Sequence, residues 1–282
     1  MNRYTEQDIN WLRENYPTKG PKYCADHFNL SKENTAVCLA KRFGIKSLGT
    51  SKYGFEFNED LTDPYLIYLL GYIWADGSFQ KCKRSARFKF EININDGVVV
   101  GKYFEKIAPT NVFKQRICHY KKKSLPTLVV ETRNREFCAM LEKFDFEQKS
   151  FCEPTKLLNE LSEEMKHYFW RGFFDGDGCI HVSSTQLNRR FILFAGQRTY
   201  EWTCLKNLLD GLKIHYKHSI TECKLGARST ITFWRFLDAE IFFKYLYPIG
   251  LDMGLDRKFD KFTLKEIPIG FKPRPTRRKS IE

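Results

Sequence analysis

Two aspartates, Asp76 and Asp177, each stand before a glycine at the end of an apolar stretch. The first stretch is Leu-Leu-Gly-Tyr-Ile-Trp-Ala-Asp-Gly from Leu69. The second is Trp-Arg-Gly-Phe-Phe-Asp-Gly-Asp-Gly from Trp170, so the two acids lie 101 residues apart (177 − 76). In each stretch a glycine, Gly71 or Gly172, precedes the aspartate by five positions, and a small residue, Ala75 or Gly176, follows that glycine by four. Glycine inside a helix costs about 1 kcal/mol against alanine, so its presence asks for a reason. A small-xxx-small face provides one, because it lets two helices pack backbone to backbone and brings their ends together. Gly77 and Gly178 are then expected as left-handed caps. A carboxylate at the negative end of a helix is disfavoured, and a second one nearby adds repulsion. A divalent cation would reverse both penalties. Asp175 aligns with Trp74 and has no acidic twin, so it is expected to support the site from behind.

The elements that must position these acids repeat. Asp63 and Pro64 suit the first turn of a helix ending at Asp76. Two strands, a helix, two more strands and a further helix follow. Ser162 starts the second round, which runs in the same order. This gives an αββαββα unit used twice, and internal repetition on that scale is the strongest organisational signal in the chain.

The first fifty residues are different. Thr5–Asn15, "KYCADHF" and "KENTAVCLAKRFGI" predict three short helices, with a turn at "NLS" and a stop at Gly44. That pattern resembles a helix-turn-helix DNA-binding module. Lys32, Asn34, Thr35, Cys38, Lys41 and Arg42 are expected on its groove-facing side. The domain expectation is 1–47 for this module, 48–62 for a linker, 63–161 and 162–271 for the repeats, and 272–282 for a basic tail.

Composition bounds the rest. The chain has 282 residues, 42% of them hydrophobic, and a formal charge of +13, which favours a polyanionic partner. No apolar run is long enough for a membrane span, and the start lacks a signal pattern. An intracellular, cytoplasmic protein with access to DNA is therefore expected. Nine scattered cysteines argue against a disulfide framework. Cys118, His119, His215, His218 and Cys223 lack metal-ligand spacing.

The doubled stretches resemble the LAGLIDADG motif, and residues 63–271 resemble a single-chain LAGLIDADG homing endonuclease. Leu70, Arg171 and Trp74 depart from the motif, but both acids remain. The resemblance implies an α+β fold whose two pseudo-symmetric repeats form a saddle on duplex DNA. It implies Mg²⁺ (or Mn²⁺) held by Asp76 and Asp177, with Gly77 and Gly178 beside them, and a double-strand break with short 3′ overhangs. It also implies basic residues near the scissile phosphates, for which Lys149 and Lys258 are the candidates, with Arg257 and Lys261 as rivals to the second. Gln197 would order water, and Ile94, flanked by Asn93 and Asn95, holds the matching place in the first repeat. DNA contacts are expected from Gln80, Lys81, Lys83, Arg87, Lys89, Lys114, Arg116, Arg189, Arg190, Lys217, His218, Arg228 and Thr230. An RNA-splicing maturase and a non-cleaving DNA-binding regulator share the fold and are the alternative functions. Whether the gene lies in an intron or stands free is left open. A two-repeat chain needs no partner to form the site, so a monomer is expected.

Overall fold

The computed structural model describes residues 4–45, 57–82, 85–108, 112–120, 125–182, 190–197, 200–223 and 226–263, some of them, Gln197 included, by backbone alone. These residues form two compact units. The first runs to Phe57 and takes in Val112, and the second holds the rest from Asn58 onward.

The first unit contains α1 (Glu6–His27) and α2 (Glu33–Arg42). Thr5 caps α1 through a reciprocal capping box with Asp8, satisfying two otherwise orphaned amides. The sequence predicts a break at "YPTKGP", yet α1 spans it, with Pro17 and Pro21 inside the helix. The helix is nevertheless not straight. Sixteen residues of straight helix cover about 24 Å, whereas the Trp11 and His27 rings stack 3.5 Å apart. The segment therefore doubles back over the stretch holding the two prolines, which remove amide donors and bend the helix. Two helical elements thus stand where three were expected, the first with two limbs. Leu12, Tyr16, Cys24, Ala25, Ala36, Leu39 and Ala40 make a core of their own. The turn after α1 carries Asn29 at φ 50°, and Gly44, at φ 66°, ends α2 as predicted. In α2 Ala36, Leu39 and Ala40 are buried, while Val37 and the capping Phe43 are only half-buried.

The second unit carries the repeat. Its first half runs α3 (Pro64–Asp76), β1 (Ser78–Cys82), β2 (Ser85–Asn93), α4 (Ile94–Ile107), β3 (Lys114–Cys118), β4 (Thr127–Thr132) and α5 (Arg135–Lys143). A 3-10 turn (Phe146–Gln148) and α6 (Thr155–Glu160) follow. The second half runs α7 (Glu163–Asp177), β5 (Cys179–Val182), β6 (Arg190–Gln197), α8 (Thr203–Gly211), β7 (Lys217–Cys223), β8 (Gly226–Phe233) and α9 (Phe236–Leu246), with α10 (Asp256–Thr263) after it. The αββαββα order is present twice. The connecting helix α6 and the terminal α10 were not foreseen. Each half builds a four-stranded antiparallel sheet, ordered β1-β2-β4-β3 and β5-β6-β8-β7.

Strand parity separates the faces of each sheet. In the first, Phe88 and Phe90 alternate with Arg87, Lys89 and Glu91. Phe88 packs on Phe137 of α5, and Phe90 on Tyr72 of α3 and Phe104 of α4. In the second, Phe194 packs on Phe173 and Phe174 of α7 and on Phe242 of α9. Each sheet thus has one face on its helices and one open face.

Helices α3 and α7 form the centre of this unit. Asp63 caps α3 by accepting from the Tyr65 amide at 2.8 Å. The expected small-residue crossing is present and very close. A methyl group on Gly71 would stand 2.0 Å from the Phe169 carbonyl oxygen, and one on Gly172 would stand 1.9 Å from that of Tyr68. At Gly176 it would stand 2.4 Å from the Ala75 Cβ.

Candidate active site at the paired helix ends

The crossing brings the C-terminal ends of α3 and α7 together. A Cβ on Gly176 would lie 3.5 Å from Asp76 Oδ2, so the first acid borders the second motif. The caps differ from expectation, since Gly77 and Gly178 sit at φ −70° and −69° with extended ψ. Glycine is required there for space. A Cβ would meet the Ile73 carbonyl oxygen at 2.6 Å in one case, and the Phe174 ring at 2.1 Å in the other.

Both aspartates reach solvent, but the surrounding protein displaces enough water to matter. Burial pushes Asp177 up to about 6, and the charge of Asp76 adds to the rise, while Lys149, Lys258 and Arg228 oppose it. Burial likewise raises Asp76, against the pull of Lys149, Lys258 and Arg257. The two carboxylates therefore share one electrostatic site, in which burial outweighs the cations around them.

Lysines close the back of this site in a repeated pattern. Lys149, which follows the 3-10 turn, donates to the carbonyls of Trp74 and Ala75, each at 2.7 Å. Lys258 of α10 donates to the carbonyls of Phe174, Asp175 and Gly178, the last two at 2.7 Å. Each repeat thus sends an ammonium from beyond its last sheet helix to the carbonyl end of its first helix, where a cation is favoured. Burial lowers both lysines, Lys258 to about 8, while Asp76 pulls both upward, aided by Asp177 at Lys149 and Asp175 at Lys258. The rivals are accounted for elsewhere. Arg257 makes a two-pronged pair with Asp96 at 2.8 Å, and Lys261 donates to the Ile180 carbonyl at 3.3 Å. Asp96 is pushed up by burial, but hydrogen bonds from Arg257 and Asn93 outweigh this and hold it low.

Asp175 lies fully buried behind the site, as a supporting residue would. Its Oδ2 accepts from the Tyr68 hydroxyl at 2.8 Å and the Leu255 amide at 3.0 Å. Burial raises it to about 6, against the pull of Lys258 and these hydrogen bonds. Arg171, the polar departure where the first motif has Leu70, is also buried. It donates to the Leu246 carbonyl at 2.6 Å and the Met253 carbonyl at 3.0 Å, and pairs with Asp252.

The strand registers correct one alignment. Ser78 pairs with Lys89, and its counterpart Cys179 pairs with Leu193. Counting on from these pairs, Gln197 matches Asn93 rather than Ile94. Asn93 caps α4, accepting from the Asp96 amide at 3.2 Å.

The registers also sort the expected DNA contacts. Gln80, Arg87, Lys89, Lys114 and Arg116 share the open face of the first sheet. Lys217, Arg228 and Thr230 share that of the second. Two expected contacts are misplaced by parity. Lys81 has the parity of the helix-covered face and pairs with Glu142 of α5. His218 is turned to buried Ser229, at 2.9 Å. Lys83 and Arg189 lie outside the described residues, and Arg190 and Gln197 are described by backbone alone. In the first unit, Lys32, Asn34, Thr35, Cys38, Lys41 and Arg42 are all exposed on or beside α2.

Three further features were missed. Glu91 and Glu131 lie on the open face of the first sheet, among the basic residues, and the alternation of "FKFEI" and "LVVET" could have located them. Arg228 acts on Asp177 from the end of β8. Glu153 caps α8 from outside, accepting from the Thr203 and Cys204 amides at 2.5 and 2.6 Å. No local motif announces that cap.

Among the described residues, no three His, Cys, Asp or Glu side chains converge as a metal-ligand group, and no helix is long and apolar enough to cross a membrane. No family model matches the chain, and no curated protein does. Among solved structures, the chain is similar to the homing endonuclease I-WcaI bound to its DNA recognition sequence (TM-score 0.48, 16% identity, 77% of this chain and 91% of that one). It is similar to the I-LtrWI LAGLIDADG homing endonuclease bound to target DNA (0.46, 14%, 72% and 89%). It is also similar to I-DmoI in complex with DNA and Mn (0.42, 13%, 62% and 91%). These likenesses are shallow, and the site's own geometry must carry the function.

Proposed function

We propose that this chain is a sequence-specific endonuclease that cuts both strands of duplex DNA with the help of a divalent cation. One observation carries the reading: two aspartates end two helices that cross in backbone contact, each backed by a lysine drawn to the carbonyls of its own helix end. Both carboxylates are raised by burial, and Asp177 also by Asp76, so a cation between them is favoured, and hard oxygen donors suit Mg²⁺ or Mn²⁺. Two carboxylates would leave the remaining positions to phosphate oxygens and water, as is usual for Mg²⁺. Asp76 and Asp177 would hold the cation, close to the glycines Gly77 and Gly178. When bound, it supplies the charge that activates water and steadies the leaving oxygen.

The chain's own residues do the rest. Lys149 and Lys258 fix the helix ends and place positive charge behind the phosphates as negative charge develops there. Gln197 is proposed to orient water in the second half of the site, with Asn93 at the matching place in the first. The open sheet faces carry Arg, Lys, Gln and Thr suited to base edges and phosphates. One aspartate per strand accounts for a double-strand cut, and short 3′ overhangs are part of the proposal. The module at 1–47, with Lys32, Lys41 and Arg42 exposed, is proposed to add a second DNA contact, the two repeats at 63–161 and 162–271 acting as a monomer.

The test is substitution. Asp76→Asn or Asp177→Asn, assayed with Mg²⁺ on a duplex selected from a random library, should abolish double-strand cleavage while duplex binding persists. Asp175→Asn should be much milder, because that carboxylate serves Tyr68 and Leu255. Full cleavage by either of the first two variants would overturn the assignment.

A further inference from the structure

Resting on the duplex-DNA reading, we propose that the two halves of the target differ in base composition: guanine–cytosine-rich under the first sheet and thymine-rich under the second. The registers pair the two open faces position by position. Where β2 carries Arg87, Lys89 and Glu91, β6 carries Phe191, Leu193 and Ala195. Where β4 carries Glu131, β8 carries Thr232, and where β3 carries Arg116, β7 carries Ser219.

The first face alternates donors and acceptors. Arg87 and Arg116 flank Glu131, at 2.5 and 3.8 Å, and Lys89 pairs with Glu91. A hydrogen bond from Arg87 is the leading cause that holds Glu131 below the usual carboxylate range, so it is ionised when it meets DNA. Carboxylates facing a polyanion are tolerated where the duplex offers donors. A guanine–cytosine pair does this on one edge, with the O6 and N7 acceptors of guanine beside the N4 donor of cytosine. Arginine beside glutamate matches that edge.

The second face is poorer in charge: the registers place no carboxylate on it among the described strand residues, and they also place His181, Gln197, Ser219 and Thr221 there. Thr230 and Thr232 donate their hydroxyl protons sideways, to the carbonyls of Ser219 at 3.2 Å and Lys217 at 3.4 Å. That commits their donor protons, so toward a base they offer methyl groups and acceptor lone pairs. Together with the sequence Phe191, Leu193 and Ala195 on the same face of the sheet, this chemistry selects the C5-methyl of thymine. Lys217 and Arg228 remain at its margins for phosphate.

The experiment uses the full chain and a duplex selected from a random library. In one half at a time, thymines are replaced by deoxyuridine, which lacks the methyl, or guanines by 7-deazaguanine, which lacks N7. Deoxyuridine should weaken binding by about four-fold per contacted methyl, in one half only. Deazaguanine should weaken it by about ten-fold per contacted base, in the other half only. Arg116→Ala should reduce the deazaguanine effect by the share of one contacted base and leave the deoxyuridine effect, and Thr230→Ser should reduce the deoxyuridine effect by the share of one methyl and leave the deazaguanine effect. Equal responses in both halves, or a swapped response to the two variants, would overturn the inference and leave the endonuclease reading intact. Failure to select any duplex would overturn both.

Discussion

Asp177 spends binding potential in advance. Its folded value of about 6 stands above the ordinary carboxylate value of 3.8, chiefly through burial and then through Asp76. Between those values the folded state holds more protons than the unfolded one, so this group's contribution to stability falls as pH rises from about 4 to about 6. At neutral pH the penalty is fully present. Asp177→Asn should therefore raise the melting temperature of the metal-free protein at pH 7 while destroying cleavage, and a calorimetric scan would show it. A lower melting temperature would mean that the carboxylate is structural. Lys258 has the opposite sign. Burial lowers it from 10.5 to about 8, so its contribution to stability rises with pH between about 8 and 10.5, as the buried ammonium loses its charge. The same deprotonation removes positive charge beside the acids. Cleavage should thus decline above about pH 8, a limb that a rate profile would reveal and that Lys258→Met should erase along with most of the activity. The acids were read from sequence because Asp76 has a twin in Asp177 and Asp175 has none. Glu153 and Asp96 escaped, and the pairing of Arg257 with Asp96 with them, because each acts on a partner brought close only by folding.

At the scale of elements, the crossing of α3 and α7 sets everything the acids can do. Its glycines were legible from spacing alone, since Gly71 and Gly172 each stand inside a helix, five residues before the matched aspartate. What the spacing did not reveal is the reciprocity: each glycine faces a carbonyl of the other helix, at Phe169 and Tyr68. Gly172→Ala would drive a methyl group into backbone that cannot rotate away. It should destabilise the fold by about 3 kcal/mol or more and separate the two carboxylates, so that residual folded protein binds DNA but cuts poorly. Denaturant melts beside a cleavage assay would separate the two effects, and a variant of ordinary stability and activity would refute the contact. Parity was the weaker part of the sequence reading. Lys81 and His218 were expected to face DNA as exposed polar residues of the sheet strands. Counting by twos from Phe88 and Ile231 places both on the helix side, where Glu142 and Ser229 receive them. The three-helix reading of the first fifty residues erred for a related reason. Pro17 and Pro21 are strong local punctuation and they do bend the chain, as the stack of Trp11 on His27 requires, but the backbone stays helical on both sides, so the expected break is a bend within one element.

At the scale of the whole molecule, the question is what the first unit adds. It has its own core, and the paired acids, both lysines and both sheets all belong to the second unit. Chemistry should therefore survive its removal. Two linked modules that both touch one duplex raise each other's effective concentration, so removing one weakens binding far more than its own affinity suggests. Each phosphate that a cation neutralises steepens the dependence of binding on salt, by roughly one unit of slope. A chain beginning at Asn58 should fold, cut the same central bonds with Mg²⁺, need more protein to do so, and protect a shorter stretch of duplex. If Lys32, Lys41 and Arg42 meet phosphates, the slope of log affinity against log salt should fall by about three, and the triple alanine variant of the full chain should reproduce that fall. Footprints and salt titrations of the full chain, the shortened chain and the triple variant decide the matter. Identical footprints and slopes would mean that the first unit does not touch the target duplex, and that its exposed cations serve another surface.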